Sequence, residues 1–184
     1  MAVRPDPLLA KRPVGPRTET GETPHGTGTA TYDRHRKYRY RLSRTWGSGR
    51  RVCFVMLNPS TATATELDPT VTRCHGYATA WRYHQMEVVN IFALRSTDPA
   101  GLYSHRDPVG KGNDDAILAA ALDADLVVCA WGTHGAYLGR GSQVQDLLAT
   151  NKVALHALKV TKDGHPGHPL YLPAALRPTL WAPK

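Results

Sequence analysis

The chain of 184 residues has about the length of one globular domain, and its 41% hydrophobic and 21% charged residues are typical of a soluble globular protein. Its formal net charge of +8 favours polyanionic partners, nucleic acid first and acidic membrane surfaces second. No apolar run approaches the roughly 20 residues of a membrane span, and the N-terminus shows no hydrophobic signal core, so we expect a cytoplasmic protein without membrane contact.

The first 50 residues divide into a segment without periodicity and a basic strand. Residues 1–30 mix prolines, glycines and threonines, so we expect a flexible arm followed by a single α/β domain over residues 31–184. Apolar and polar residues alternate from Tyr38 to Trp46, which predicts a half-buried strand at the edge of the sheet, joined by a glycine turn to the next strand in an antiparallel pair. Cations and aromatic residues interleave from Arg34 onward, and they either contact phosphates or form the solvent-exposed face of that edge strand.

The apolar run Val52–Leu57 predicts a strand that is buried on both faces, because a half-exposed strand would alternate. Pro59 cannot donate to a sheet, so this strand ends with the Asn58 side chain at its carboxyl end. Ligands bind at that end of the strands in open α/β sheets. The alternative is a strand-ending turn in which Asn58 and Ser60 bond only to nearby backbone.

Helices and strands then alternate along the chain. Asp68-Pro69 starts a helix, with the aspartate as N-cap and the proline at the first helical position. Glu87–Ala93 is a second buried strand, in which Asn90 either ties neighbouring backbone together or faces a pocket. The remaining elements are predicted as a turn-rich loop over 95–112, a helix over 114–122, a strand over 126–131, the turn Gly132–Gly135, a helix over 142–150 and a last strand over 153–158.

The loop after the last predicted strand contains two His-Pro steps three residues apart, at His165 and His168. The spacing resembles a metal site, but the prolines spoil a helical His-x-x-His arrangement and no acidic or cysteine partner is evident. The other interpretations are a structural proline turn and a ligand-facing loop. The three cysteines cannot all pair and have no Cys-x-x-Cys spacing, so we expect them to be reduced core residues that bind no zinc. We expect neither a metal nor a cofactor elsewhere in the chain.

The alternation of strands and helices predicts an α/β fold with a mainly parallel central sheet, helices on its flanks and an antiparallel edge strand. In that architecture four polar segments follow or end strands on one side of the sheet, namely the Asn58 turn, Asn90, Gly132–Gly135 and His165–Leu170. Their convergence predicts a ligand site more strongly than any one of them does.

Six motifs of the chain carry a resemblance to a known family. They are Tyr-Arg-Tyr-x-Leu-x-Arg-x-Trp (38–46), Phe-Val-Met-Leu-Asn-Pro-Ser-Thr-Ala (54–62), Asp-Pro-Thr-Val-Thr-Arg-Cys (68–74), Val-Val-Asn-Ile-Phe-Ala-Leu-Arg-Ser-Thr-Asp-Pro (88–99), Asp-Pro-Val-Gly-Lys-Gly-Asn-Asp (107–114) and Thr-Lys-Asp-Gly-His-Pro-Gly-His-Pro-Leu-Tyr-Leu (161–172). With these motifs the sequence resembles, over residues 36–184, the bacterial and phage family catalogued as domain of unknown function 1643. The family name states no activity.

Three shorter motifs, in the same order, are also similar to the uracil-DNA glycosylase superfamily. They are Leu57-Asn58-Pro59-Ser60, Asn90 in Val-Val-Asn-Ile, and either His165-Pro166-Gly167 or His168-Pro169-Leu170. Leu57 stands where that superfamily has an early glycine, and Gly167 where a loop serine is common. The resemblance implies a three-layer α/β/α sandwich and cleavage of an N-glycosidic bond, with Asn58 orienting water, a loop histidine donating toward the base oxygen and Asn90 pairing with the base edge.

The candidate site residues fall into three sets. The catalytic set is Asn58, His165 and His168. The base- or ligand-binding set is Pro59, Ser60, Thr61, Asp68, Asn90, Trp131 and His134, with Tyr77 or Trp131 stacking on an extruded base. The phosphate-binding set is Arg73, Arg95 and Lys162.

Three functions are compatible with the sequence. The first is a nucleobase-recognising hydrolase that cleaves an N-glycosidic bond in DNA or in a nucleoside or nucleotide. The second is a non-catalytic module that binds nucleic acid or a nucleotide on the same scaffold. The third is an unrelated small-molecule enzyme that uses Asp68, Asn58 and the paired histidines.

Overall fold

The computed structural model describes residues 15–98 and 100–182, so residues 1–14 of the predicted arm lie outside the described residues. Within these ranges the strands are β1 (Arg17–Thr23), β2 (Gly26–Tyr32), β3 (Arg39–Thr45), β4 (Arg51–Met56), β5 (Gln85–Asn90), β6 (Leu126–Cys129), β7 (Leu155–Ala157) and β8 (Thr179–Leu180). The α-helices are α1 (Pro69–Ala80), α2 (Ala100–Ser104), α3 (Asn113–Leu122) and α4 (Arg140–Thr150), and short 3-10 helices cover Thr133–Gly139 and Pro169–Tyr171. None of the helices in the described ranges is long and apolar enough to cross a membrane.

The strands form one mixed sheet in the order β1-β2-β3-β5-β4-β6-β7-β8. The pairings β5–β4, β4–β6 and β6–β7 are parallel, and the other four pairings are antiparallel. The mixed α/β class is confirmed, but the prediction of a mainly parallel sheet with one antiparallel edge strand is not. The sequence located the parallel part because helices separate those strands, and parallel pairing requires such crossovers.

β1 and most of β2 lie in the predicted flexible arm, which ends at residue 30, and for residues 17–30 that prediction is wrong. β1 and β2 form a hairpin with cross-strand threonine pairs, such as the hydroxyl oxygens of Thr20 and Thr29 at 3.4 Å. On the opposite face of β2, Ala30 and Tyr32 are fully buried. Threonine favours strands through its branched side chain, but it gives no hydrophobic periodicity, so the pattern of apolar residues missed both strands.

β3 lies inside the sheet, between β2 and β5, and not at its edge. The predicted antiparallel pairing of this strand with β4 is wrong because β5 enters between them, with Leu42 paired to Val88. α1 connects β4 to β5, and such a crossover places the two strands side by side. Arg39 and Arg44 of β3 are consequently 2% and 0% exposed, so neither lies on a solvent-exposed face.

Several predicted elements agree with the structure. The side chains of β4 from Val52 to Met56 are all buried. α1 begins at Pro69, and Asp68 Oδ1 accepts a hydrogen bond of 2.8 Å from Val71 N as the predicted N-cap. The predicted last strand is not the last, because the short β8 returns to pair with β7, and two residues are too few to produce a sequence pattern.

Apolar side chains form a cluster on each face of the sheet. α1 packs against the face that carries Phe54 and Val88, which we call the α1 face. α3 and α4 pack against the face that carries Val55 and Val89, which we call the α3–α4 face. The three cysteines are buried and unpaired, as predicted, and burial raises the pKa of each thiol.

Candidate functional site

The parallel strands end side by side. Met56 of β4 pairs with Asn90 of β5, and Asn58 follows Met56 by two residues. β6 ends at the same level, and Gly132 N then donates to Pro166 O at 2.8 Å, which attaches the loop with the two His-Pro steps. We define the carboxyl edge as residues 56–60, 90–96, 130–135 and 165–168.

The alternation of side chains splits the predicted residues between the two faces of the sheet. Asn90 projects from the α1 face, together with its pairing partner Met56, whereas Trp131 belongs to the cluster on the α3–α4 face. A base that contacts the Asn90 amide therefore does not stack on Trp131. Tyr77, the other stacking candidate, lies on the α1 face, where it is 1% exposed and donates to Pro173 O at 2.8 Å.

Asn58 is held in one orientation by the loop that follows β5. Its Nδ2 donates to Ser96 O at 2.8 Å and to Pro59 O at 3.1 Å, and Ser96 N donates to Pro59 O at 2.9 Å. Because these bonds use the amide nitrogen, Oδ1 is the atom left to accept from a ligand or a water. Of the neighbouring candidates, Pro59 is buried, Ser60 half-buried and Thr61 exposed.

Asn90 has a buried amide nitrogen for which the described residues supply no acceptor. Its side chain is 2% exposed, and Nδ2 makes no hydrogen bond to any of them. Its backbone is firmly held, because Asn113 Nδ2 donates to Asn90 O at 2.9 Å and Arg140 Nε donates to the next carbonyl, Ile91 O, at 2.7 Å. An unpaired buried donor costs about 1–3 kcal/mol, so Nδ2 is an available contact for a ligand.

His168 lies beside the end of β6, and Asp68 at the start of α1 acts on it electrostatically. A Cβ placed on Gly132 would lie 3.6 Å from His168 Cβ, and His168 Nδ1 is buried with no partner in the described ranges. Burial lowers the pKa of His168, and the Asp68 carboxylate opposes that change only in part. The imidazole is therefore neutral at pH 7, and it can donate a hydrogen bond without carrying a charge.

The free energy of unfolding should decrease as the pH falls below about 6.5, the ordinary pKa of histidine. The pKa values of His75 and His168 are lowered in the folded protein, mainly by burial, and for His75 also by the charges of His25 and Arg44. The unfolded chain therefore binds more protons in this range, with a slope of at most about 1.4 kcal/mol per pH unit for one histidine. Urea unfolding at several pH values should show a shallower dependence for His168→Gln, and an unchanged dependence would contradict the prediction.

Three other predicted residues line a separate cavity. Trp131, Lys162 and His165 surround a space of about 660 Å³, together with Trp181 and the start of α4. The Trp131 ring packs edge-on against Trp181, with their centroids 5.5 Å apart. The two histidines of the loop thus have different surroundings. His165 faces this cavity, whereas His168 is close enough to Asp68 for the carboxylate to affect its pKa.

The remaining predicted residues lie apart from one another. His134 is exposed, and its Nδ1 forms a hydrogen bond with the Tyr103 hydroxyl. Arg73 lines a groove of about 640 Å³ between α1 and the segment around Leu170. Of the three predicted phosphate-binding residues, Arg95 lies at the carboxyl edge, whereas Arg73 and Lys162 do not. The described part of the chain holds no group of three or more side chains that could ligate a metal.

Two buried residues of the α1 face were not predicted. Tyr32 of β2 pairs with Arg39 of β3, and Tyr32 Oη and Arg39 Nε are both buried without a partner among the residues described. A shift of register opposite Thr31 and Tyr32 leaves Tyr40 as an extra residue on β3. Such a bulge changes which side chains of a strand point inward, and nothing in the alternating pattern signals it.

The chain matches one protein-family model. The family is described as a protein of unknown function, DUF1643, and the match covers residues 39–170, from the start of β3 into the segment after the two His-Pro steps. No curated protein and no solved structure matches the chain significantly.

Proposed function

The chain belongs to the DUF1643 family, whose description states no activity, and from its carboxyl edge we propose that it binds a nucleobase and hydrolyses the N-glycosidic bond between base and sugar. The observation that carries the proposal is the position of Asn58, Asn90 and His168 around the ends of three parallel strands. Asn90 Nδ2 and His168 Nδ1 are buried there without protein partners in the described ranges, as expected of a site that hydrogen-bonds a planar polar ligand.

Each side chain has a role that follows from its chemistry. The Asn58 amide is not a base at neutral pH, so its oxygen orients the attacking water and does not remove a proton. Asn90 Nδ2 donates to an acceptor on the edge of the base. The neutral His168 imidazole donates to a base oxygen, on which negative charge grows as the bond breaks.

The reaction balances with water as the co-substrate. The bond between C1′ of the sugar and the base nitrogen breaks, and its electron pair leaves with the base. The water oxygen bonds to C1′, and the proton that the water loses balances the one that the departing base takes up. The Asp68 carboxylate, whose charge reaches His168, favours the positive charge that develops on the sugar.

The arrangement of helices around the sheet also supports this function. α1 on one face and α3 and α4 on the other are consistent with the three-layer α/β/α sandwich of the uracil-DNA glycosylase superfamily. In such a sandwich, the antiparallel strands β1, β2 and β3 would be an addition to one side of the parallel part of the sheet.

The proposal is tested by incubating the protein with oligonucleotides that contain uracil or hypoxanthine and with free nucleosides, and by measuring released base by chromatography. We expect release from at least one substrate and a loss of about 100-fold or more in Asn58→Ala, since removal of one positioning group typically costs that much. Asn151→Ala is the matched control, because Asn151 is exposed at the end of α4, remote from the carboxyl edge.

Two outcomes would count against hydrolysis. If Asn58→Ala releases base as fast as the wild type, Asn58 has no part in the reaction. If no substrate releases base while oligonucleotides bind tightly, the alternative of a non-catalytic nucleic-acid- or nucleotide-binding module is supported instead.

A further inference from the structure

Buried positive charge exceeds buried negative charge on the α1 face. Arg39 and Arg44 are 2% and 0% exposed, and the charges of Arg44 and Arg95 both act on Arg39. Among the charges of the described residues that act on Arg39, Asp68 is the single carboxylate. Burial lowers the pKa of Arg39 to about 10, which still leaves the guanidinium charged at neutral pH. Buried charges of one sign are costly without a counter-charge, so this region favours an anion.

The two buried arginines differ in what they bind. Arg44, at the end of β3 remote from the carboxyl edge, donates to three backbone carbonyls, those of Ser43, Thr63 and Glu66, at 2.7, 2.7 and 3.1 Å. The Arg39 guanidinium makes one hydrogen bond within the described residues, from Nη1 to Ala62 O at 2.6 Å. Nε of both arginines has no partner among the described residues. Arg44 uses its other donors to hold a loop, whereas Arg39 has most of its donors unused by these residues.

Arg39 lies in a row of polar side chains across the α1 face. Tyr32 of β2 pairs with Arg39. On the other side of β3, the register of Leu42 with Val88 brings Asn90 of β5 opposite Tyr40, the extra residue beside Arg39, while Arg39 N donates to Ala93 O at 2.9 Å. Tyr32 Oη, Arg39 Nε and Asn90 Nδ2 are each buried without a partner in the parts of the chain that are described. Arg39 Nε and Asn90 Nδ2 can only donate a hydrogen bond, whereas Tyr32 Oη can donate or accept one, so the row has more donors than acceptors.

We propose that Tyr32, Arg39 and Asn90 form an oxyanion pocket at the carboxyl edge, which takes a negatively charged oxygen of the ligand. The inference rests on the proposed function for the identity of that ligand. The oxygen belongs either to a departing nucleobase anion or to the phosphate of a nucleotide, and a buried guanidinium with two neutral donors binds both through charge-assisted hydrogen bonds. Arg39 then selects for ligands that carry or develop negative charge at this position.

Thermal unfolding with small oxyanions tests the pocket without turnover. The probes are inorganic phosphate, and free uracil at an alkaline pH where part of it is anionic, each added to the wild type, Arg39→Lys and Arg44→Lys. At ten times the Kd we expect the Tm of the wild type and Arg44→Lys to rise by about 3 °C. Arg39→Lys should need at least about tenfold more probe, because lysine lacks the planar fork of donors. A response to phosphate alone assigns the oxygen to a nucleotide phosphate, and a response to uracil alone assigns it to the base.

Equal shifts for Arg39→Lys and the wild type, or no shift of the wild type with either probe, would overturn the proposal. If Arg39→Lys does not fold by circular dichroism, Asn90→Asp replaces it, since a carboxylate in the pocket should abolish the response by repulsion. The two proposals fail separately. A shift that depends on Arg39 without base release in the chromatographic assay keeps the pocket and removes the hydrolase.

Discussion

Gly28→Ala is expected to lower the free energy of unfolding by about 3 kcal/mol or more, the upper range for overpacking a buried site. A Cβ on Gly28 would overlap the carbonyl oxygen of Ala64 and lie 2.7 Å from Arg44 Nη1. Neither neighbour can retreat alone, because Arg44 Nη2 holds the same loop through Thr63 O at 2.7 Å. The substitution therefore separates the loop before α1 from the β1–β2 hairpin.

Gly76→Ala is the matched control for this substitution. Gly76 lies inside α1, and a Cβ there would meet nothing within 4 Å. Alanine has a better helix propensity than glycine, so we expect a gain of about 0.5–1 kcal/mol. Urea unfolding of the two variants measures both effects, and a Gly28→Ala protein as stable as the wild type would show that the loop is not packed on β2 as described.

Removal of three cations beside the carboxyl edge should weaken oligonucleotide binding by about tenfold or more at low salt. The triple variant is Arg34→Gln, Lys37→Gln and Arg106→Gln. All three side chains are exposed, and none takes part in an ion pair among the described residues. Lys37 lies at the edge because its carbonyl oxygen accepts a hydrogen bond of 3.0 Å from Arg95 N, and Arg34 precedes it by three residues. Arg106 follows His105, which packs against Tyr38 with ring centroids 6.3 Å apart, and Tyr38 forms a bridge with Leu94 of the edge.

A second triple variant removes the same charge from the opposite edge of the sheet. Arg50, Arg82 and Lys152 come shortly before the parallel strands β4, β5 and β7, so they lie at the amino ends of these strands. Fluorescence anisotropy measures the affinity for an oligonucleotide at several salt concentrations. The slope of log affinity against log salt concentration should be smaller for the first variant, by about 1 for each phosphate that the protein no longer neutralises. Equal reductions in affinity for both variants would mean that only the total charge matters and that the carboxyl edge is not the binding surface.

The sequence identified elements whose signals are local. The apolar run of β4 and the Asp68-Pro69 start of α1 each depend on a few adjacent residues, and both are found where predicted. The hairpin of β1 and β2 depends on pairing between threonine-rich strands, which hydrophobic periodicity does not detect. The insertion of β5 between β3 and β4 is a property of the whole sheet, and adjacency along the chain predicted the wrong partner.

In the candidate site, too, local features are predictable from sequence and features of the whole sheet are not. Strand ends can be located from sequence, and the prediction that Asn58 and Asn90 lie at one edge of the sheet agrees with the pairing of Met56 with Asn90. Which face each side chain occupies was not predicted, and it separates Trp131 from Asn90. The burial of Arg39 depends on neighbours in β2 and β5 that the sequence pattern does not identify, so the pattern predicts only a basic stretch from Arg34 onward.

The backbone around Asn90 is held from the face of the sheet opposite to its side chain. Asn113 of α3 and Arg140 of α4 hold the carbonyls of Asn90 and Ile91 from the α3–α4 side, whereas the Asn90 amide projects to the other side. Under the proposed function, the amide that binds the base is preorganised by helices on the opposite face, so little conformational entropy is lost on binding. Affinity could thus be tuned at a distance, through α3 and α4, while the contacting residues stay the same.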